Sequence, residues 1–349
     1  VRILLAKRRA LGDTVLLGST LANLGNALPE AEISVLVPGD FAPVLEGNPK
    51  LRNVFTFEQG FFALVKELRA RKFDHFIQLH SSPGSKWLAL LSGAQRVSFS
   101  IQNKETEQAY GKHPNALEWD GFFLRTIFGS GKITVPGLAP KIFLSEEEKE
   151  EGRNYWKRGG VDAKQVIFFG LGASRSTKRW PPTHFAKLAE LIRDRLDLVP
   201  AIISGPGEVE QSFTALVVDH FRGRGLRPLG AFGKGDFFYG GGLSVRQLAG
   251  ALSAAKAYVG NDSGPKHIAA AVGIPTFTFF GPEDPEEWHP YSFDEHPVFF
   301  QPGLSCRNED GGRWCGLDAC NLVGLQHHRC MLDLDPLEVI AVLQKKLGR

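Results

Sequence analysis

The sequence predicts an α/β protein made of two doubly wound domains, each a parallel sheet flanked by helices. Three observations lead there. Short apolar runs empty into polar or glycine-rich loops and are followed by helical periodicity, which is how a parallel sheet buried on both faces reads. The pattern occurs twice, on either side of an interruption at Pro136, Gly137 and Pro140. The length of 349 residues is long for one domain and natural for two, and 43% hydrophobic against 23% charged residues leaves enough apolar material for two cores.

In order along the chain, residues 3–6, 33–37, 53–57, 75–79 and 96–99 read as strands, with helices from Thr14 and over 61–71. The domain boundary falls at 136–143, giving an N-terminal domain over 1–142. Residues 144–157 form an acidic helix capped by Ser145, which opens a second domain over 143–334. Its strands are expected at 166–169, 200–204, 227–229, 257–259 and 276–280. A helix after Pro181 carries Phe185, Leu188, Ala189 and Ile192 at helical spacing. The last helix, within 335–349, is a candidate to cross back to the N-terminal domain. Loops at the carboxyl ends of both sheets should then face one cleft, where open α/β sheets bind their ligands.

The most informative stretch is 260–275, GNDSGPKHIAAAVGIP. Small residues delivered to a helix N-terminus make a pocket for phosphate or diphosphate. Asp262 or Ser263 also suits an N-cap, and His267 either reaches the anion or satisfies a loop carbonyl. A second loop, 170–181 (GLGASRSTKRWP), brings Arg175, Lys178 and Arg179 to a strand end. Lysine acts there as a mobile point charge, and arginine forks onto two oxygens. A third, 7–13 (KRRALGD), ends on Asp13, which reads either as an N-cap or as a carboxylate able to take a proton from a hydroxyl. None of the three loops completes the GxGxxG of a dinucleotide site, which argues against a nicotinamide dehydrogenase.

Transfer from a nucleotide sugar needs charge compensation for the leaving diphosphate and a base for the acceptor hydroxyl. Lys178, Arg179 and the backbone at Ser263 and Gly264 suit the first need, and Asp13 suits the second. Asp262 is better placed to hold sugar hydroxyls or order its loop. His80, with Ser81, follows a strand on the acceptor side and is a weaker candidate, as is Arg9. Glu208 and Glu210 stand where a ribose or plain solvent would meet them. Trp180 and Trp288 read as packing residues.

Taken together, these segments resemble the heptosyltransferases of glycosyltransferase family 9. The resemblance rests on Leu11, Gly12 and Asp13; on Gly172, Ala173, Ser174 and the run Lys178, Arg179, Trp180, Pro181; and on Asn261 to Pro265 with His267 and Ala269 to Ala271. Phe280, Gly281 and Pro282, then Trp288, Pro290 and Tyr291, complete it. It implies a GT-B fold of two Rossmann-like domains and an inverting transfer of heptose from ADP-heptose to the lipopolysaccharide inner core. Ser174, Lys178, Arg179, Asp262, Ser263, Gly264 and His267 would bind the donor, and Asp13 would be catalytic. The alternatives are a related transferase with another nucleotide sugar or glycan acceptor, and a non-catalytic nucleotide-sugar-binding protein.

Composition bounds the partners. Residues 1–141 hold 17 Lys and Arg against 12 Asp and Glu, while 142–349 hold 24 against 26. The basic first half suits an acidic, lipid-linked acceptor or the anionic membrane surface that carries it. No basic run interleaved with aromatics points to nucleic acid. No apolar run reaches a bilayer's span, and the start VRILLAKRR reads as a strand followed by charge, so a cytoplasmic enzyme, peripheral at most on the inner membrane, is expected. The single DxD, Asp333 and Asp335, sits at a helix start before Pro336, where capping explains it. No catalytic metal or other cofactor is therefore expected. Cys306, Cys315, Cys320 and Cys330 cluster at spacings that fit no common zinc pattern, which leaves thiols, disulfides or a structural zinc.

Overall fold

The computed structural model describes the chain except for residues 9, 81, 102–107, 109–113, 136–138, 231–234, 305, 307–313 and 349. Arg9 and Ser81 therefore lie outside the described residues. The chain divides into two compact units, Val1–Phe143 and Leu144–Arg349.

The first unit is a five-stranded sheet of β1 (Arg2–Ala6), β2 (Glu32–Val37), β3 (Asn53–Thr56), β4 (His75–Gln78) and β5 (Arg96–Phe99). Every pairing is parallel and the order is β3-β2-β1-β4-β5. Helices α1 (Leu11–Ala27), α2 (Phe61–Arg71), α3 (Pro83–Leu91) and α4 (Ala116–Phe128) flank it. A buried cluster of Leu4, Leu36, Phe55, Leu68, Phe76 and Leu88 ties the sheet to α2 and α3. β1 is buried along nearly its whole length, as a central strand between two helical layers must be.

The second unit opens on α5 (Glu146–Arg158), where Ser145 and Glu148 form a reciprocal capping box. Six parallel strands follow in the order β11-β10-β9-β6-β7-β8. They are β6 (Val166–Gly170), β7 (Val199–Ser204), β8 (Phe238–Gly241), β9 (Ala257–Asn261), β10 (Thr276–Phe279) and β11 (Val298–Phe299). The interleaved helices are α6 (Pro182–Leu196), α7 (Glu208–Gly223), α8 (Val245–Ala254) and α9 (Gly264–Ala271). The chain continues through the short α10 (Pro285–Trp288) and α11 (Arg329–Leu332) to α12 (Pro336–Leu347).

One sequence expectation needs correction. Residues 227–229 are not a strand: Pro228 makes only an isolated bridge to Phe237, and the ladder is taken up by β8. Its FYGG sequence has little strand propensity, so the pairing comes from Ser204 and its neighbours on β7 rather than from local preference. The last helix spends its apolar face inside the second unit. Val339, Ile340 and Leu343 belong to the core that also holds Trp180, Phe185 and Phe279, and α12 packs on α6.

Candidate functional site

In each unit the strand order reverses beside the first strand, and there the loops leaving two neighbouring parallel strands diverge to opposite faces. In the first unit those strands are β1 and β4; in the second they are β6 and β9. Such switch points are where open α/β sheets bind ligands.

At the β1/β4 switch, β1 runs through Lys7 and Arg8 into α1. Ala10 holds φ 35° and ψ 152°, a backbone region that alanine rarely adopts, and it makes no side-chain cap. Helix α1 starts at Leu11, so Asp13 is its third residue. It is therefore not the N-cap residue, a position that Ala10 takes. Its carboxylate Oδ1 lies 3.9 Å from Nε2 of His80, just beyond β4, and both side chains keep only a fringe of exposure. Beneath them Lys7 is buried and donates to Oδ2 of Asp120 at 2.7 Å, and the Thr20 hydroxyl donates to the same oxygen at 3.1 Å. Burial pushes the Lys7 ammonium down, but the charges of Asp120 and then Asp13 outweigh it and raise its pKa. Asp13 thus sits in a positive field from below, with an imidazole beside it. Arg8 reaches across to the hydroxyl of Ser82 at 3.0 Å.

At the β6/β9 switch the backbones approach closely. A Cβ on Gly260 would overlap the backbone of Gly170, so glycine at both positions lets the strands meet at the loop mouth. Asn261 then ties the two loops together. Its amide nitrogen donates to the Leu171 carbonyl at 2.8 Å, and its Oδ1 accepts the Trp180 N–H at 2.9 Å. This fixes Lys178 against Asp262: Nζ lies 2.5 Å from Oδ2. The second oxygen, Oδ1, accepts from the fully buried Lys266 at 2.6 Å. Burial opposes ionisation of Asp262, yet the two ammoniums prevail and hold it well below the usual carboxylate range.

The remaining donor-side candidates separate. Ser263 is the N-cap of α9 but makes no side-chain cap, leaving N–H groups at Gly264 and the first turn without that partner. His267 is buried, and Nδ1 meets the Tyr291 hydroxyl at 2.8 Å rather than a loop carbonyl; burial, then Lys266, drives its pKa well below the ordinary value. Arg179 lies over the Phe213 ring at 5.2 Å and donates weakly to Ala173 O at 3.4 Å. Ser174 is exposed on the same loop. Arg175 turns elsewhere, pairing with Glu283 and with Asp318 and donating to the Gly316 carbonyl. Glu210 is drawn in: a Cβ on Gly172 would come within 2.9 Å of its Oε1, and one on Gly205 would also strike its carboxylate. Both glycines therefore make room for Glu210 beside the Lys178 loop.

Trp180 packs as expected, stacked on Phe279 with ring centres 4.1 Å apart, and its indole N–H donates to Leu334 O. Asp335 caps α12 through Leu337 N–H, and Asp333 pairs with Arg329, so the DxD pair is structural. The four cysteines are thiols and line one recess; among the described residues no three metal-ligating side chains gather closely enough to hold an ion. This segment backs the Lys178 loop, since His328 Nε2 meets the Thr177 carbonyl at 2.8 Å and Thr177 Oγ1 donates to Leu317 O. Lys266 and Asn261 are the site residues that sequence reasoning did not assign. Both lay inside a motif already singled out, but a buried lysine on a polar helix start looks like any solvated one.

Two switch points with this chemistry agree with the comparisons to known proteins. The family model for glycosyltransferase family 9 (heptosyltransferase) matches residues 61–305. The chain belongs to that family, and it is a glycosyltransferase. It is 26% identical over 305 residues to lipopolysaccharide heptosyltransferase 3 of Escherichia coli, covering 80% of this chain and 84% of the relative. Among solved structures, a glycosyl transferase family 9 protein from Veillonella parvula superposes with a TM-score of 0.75 at 18% identity, covering 99% and 97% of the two chains. The E. coli ADP-heptose lipopolysaccharide heptosyltransferase II gives 0.71 at 20% identity, covering 99% and 98%. The fold of this family 9 chain is accordingly GT-B, with its two Rossmann-like units. Among the described residues no helix is long and apolar enough to cross a membrane.

Proposed function

We propose that this family 9 enzyme transfers heptose from ADP-heptose to an acceptor in the lipopolysaccharide inner core, with inversion at the anomeric carbon. The observation that carries the reading is the Lys178, Asp262 and Lys266 cluster at the mouth of α9. It joins two ammoniums, one carboxylate and an uncapped helix N-terminus, an excess of positive charge suited to a diphosphate. Donor and acceptor chemistry follow the names of the relatives, a lipopolysaccharide heptosyltransferase and an ADP-heptose enzyme.

In this reading Lys178 shifts from Asp262 onto the diphosphate and, with the N–H groups at Gly264, offsets the charge that grows on the leaving ADP. Those groups supply the compensation that other transferases draw from a divalent cation, so turnover should survive chelation. Asp262 keeps one oxygen for its buried partner and offers the other to a sugar hydroxyl. Asp13 takes the proton from the acceptor hydroxyl as that oxygen attacks the anomeric carbon and the bond to the diphosphate breaks. His80 orients the carboxylate.

Turnover against a panel of nucleotide sugars, with proton NMR of the product's anomeric centre, tests this. ADP-heptose as the preferred donor with an inverted product is expected. Preference for another sugar, or retention, overturns the assignment, and loss of turnover on chelation that magnesium restores overturns metal independence.

We also propose that the enzyme works in the cytoplasm, against the inner membrane, through α3. That helix exposes Trp87, Leu90 and Leu91 at positions that share one face, and it carries Lys86 and no acidic residue. Arg8 reaches Ser82 at its start, and Arg69 bonds the Leu91 carbonyl at its end. Sedimentation with phosphatidylglycerol vesicles, but not with phosphatidylcholine vesicles, should pull down the wild type and not Trp87→Glu. Equal sedimentation of the two proteins overturns the assignment.

A further inference from the structure

Lys266 belongs to the cluster but takes no part in the chemical steps above, and its surroundings are unusual for a lysine. It is fully buried. Its Nζ donates to Oδ1 of Asp262 at 2.6 Å and to the carbonyl of Trp288 at 2.9 Å, and it lies 4.9 Å from the centre of the Phe280 ring. The ammonium is thus held by a carboxylate, a carbonyl at the end of α10 and an aromatic face. Its side chain is fully buried and bonded to Asp262 and Trp288, so it is not placed as a direct phosphate contact.

What it touches is the partner of Lys178. Asp262 divides its oxygens, Oδ2 to Lys178 and Oδ1 to Lys266. Consider Asp262 with Lys178 alone. The lysine could then reach a diphosphate only by leaving a buried carboxylate uncompensated, and breaking a buried pair in that way is strongly unfavourable. With Lys266 in place the carboxylate keeps a charged partner whichever way Lys178 points.

We propose that Lys266 is a positioning residue for the donor, holding Asp262 ionised and fixed so that Lys178 is free to leave it for the diphosphate. The inference rests on the reading that this cluster receives the donor diphosphate. It adds that the cation which binds and the cation which lets it bind are different residues.

The test is a double-mutant cycle read by calorimetry with ADP, together with steady-state kinetics. Lys266→Met preserves length and bulk while removing the charge. It should weaken ADP binding at least tenfold and raise the donor KM to match, with kcat changed less than about threefold, because the deficit lies in releasing Lys178 rather than in the chemical step. In an Asp262→Asn background, where nothing restrains Lys178, the same substitution should change ADP affinity by less than about threefold.

A second measurement needs no substitution of Lys266. Burial pushes the Lys266 pKa down to about 8 against the opposing pull of Asp262. The groups facing it are Asp262 and Lys178, with His267, His289, His296, Tyr258 and Tyr291 around them. The three histidines are depressed by burial and both tyrosines raised, so these five keep one charge state from pH 7.5 to 9.5. Wild-type affinity for ADP should fall across that interval, and the fall should be absent in Asp262→Asn.

Wild-type affinity in a folded Lys266→Met protein overturns the inference, as does an equal loss in both backgrounds or a flat pH profile in the wild type. Each of those leaves the donor reading standing, since ADP still binds. Failure of the wild type to bind ADP at all overturns the donor reading itself.

Discussion

The two switch points solve opposite problems with the same topology. In the first unit Asp13 keeps a fringe of exposure, lies 3.9 Å from an imidazole and is backed by Lys7, which is itself committed to Asp120. In the second, Asp262 is almost wholly buried and locked between two ammoniums. A carboxylate held far below its usual range by two cations has little affinity for a proton and is a poor base. One that lies beside an imidazole and keeps some access to solvent can accept a proton and pass it on. Equivalent places on two similar sheets therefore carry unlike chemistry, and the difference lies in the side chains packed around each carboxylate rather than in the fold.

The sharpest way to break this contrast is Asp13→Asn. A general base is worth about 100-fold to 10,000-fold, so kcat should fall by that order while ADP binding stays within about twofold. Asp13 is the third residue of α1, and the carboxamide keeps the shape of the carboxylate and its ability to accept a backbone N–H, so the variant should stay folded. Near-normal kcat in the folded protein would move the base to His80.

Next in size is the support beneath it. Lys7→Met strands a buried Asp120, which should lower the first unit's stability by about 3 to 5 kcal/mol, and adding Asp120→Leu should recover most of that loss. Denaturant unfolding measures both. A single variant as stable as the wild type would show that the pair contributes nothing there.

A smaller effect is expected at the donor cation. Lys178→Ala should weaken ADP binding by about 1.5 to 3 kcal/mol, the usual worth of a hydrogen bond to a charged group. Unchanged affinity by calorimetry would move the diphosphate away from this loop.

The smallest effect separates the units by pH. His184, His267, His289 and His296 in the second unit all have lowered pKa values, with burial the largest cause in each, and among the first unit's histidines whose shift is resolved His75 is lowered likewise. The unfolded chain protonates such groups first, so the stability they allow is present above about pH 6.5 and lost as pH falls below it. For His289, pushed down to about 2, the loss between pH 7 and 5 is about 2 kcal/mol. Acid should unfold the second unit before the first, and His289→Gln should flatten its pH dependence. Simultaneous unfolding with no change in the variant would refute the distinction.

Much of this architecture was legible in the chain. Strands such as 166–169 and the Ser145 cap follow from local patterns, because burial on both faces and an orphan helix N–H each leave a signature within a few residues. The loops bearing Asp13, Lys178 and Asp262 were likewise visible as strand ends rich in small and charged residues. Tertiary structure alone decided the rest. It recruited glycine-rich β8 through β7, turned Arg175 toward Glu283, and gave His267 to Tyr291. It also set Lys178 against Asp262, 84 positions along the chain, by placing β6 beside β9, and hid Lys266 behind them. Hydrophobic periodicity reports what a residue prefers over one or two turns. A charge pair depends on a distance between atoms, and for residues on separate loops only the packed sheet defines that distance.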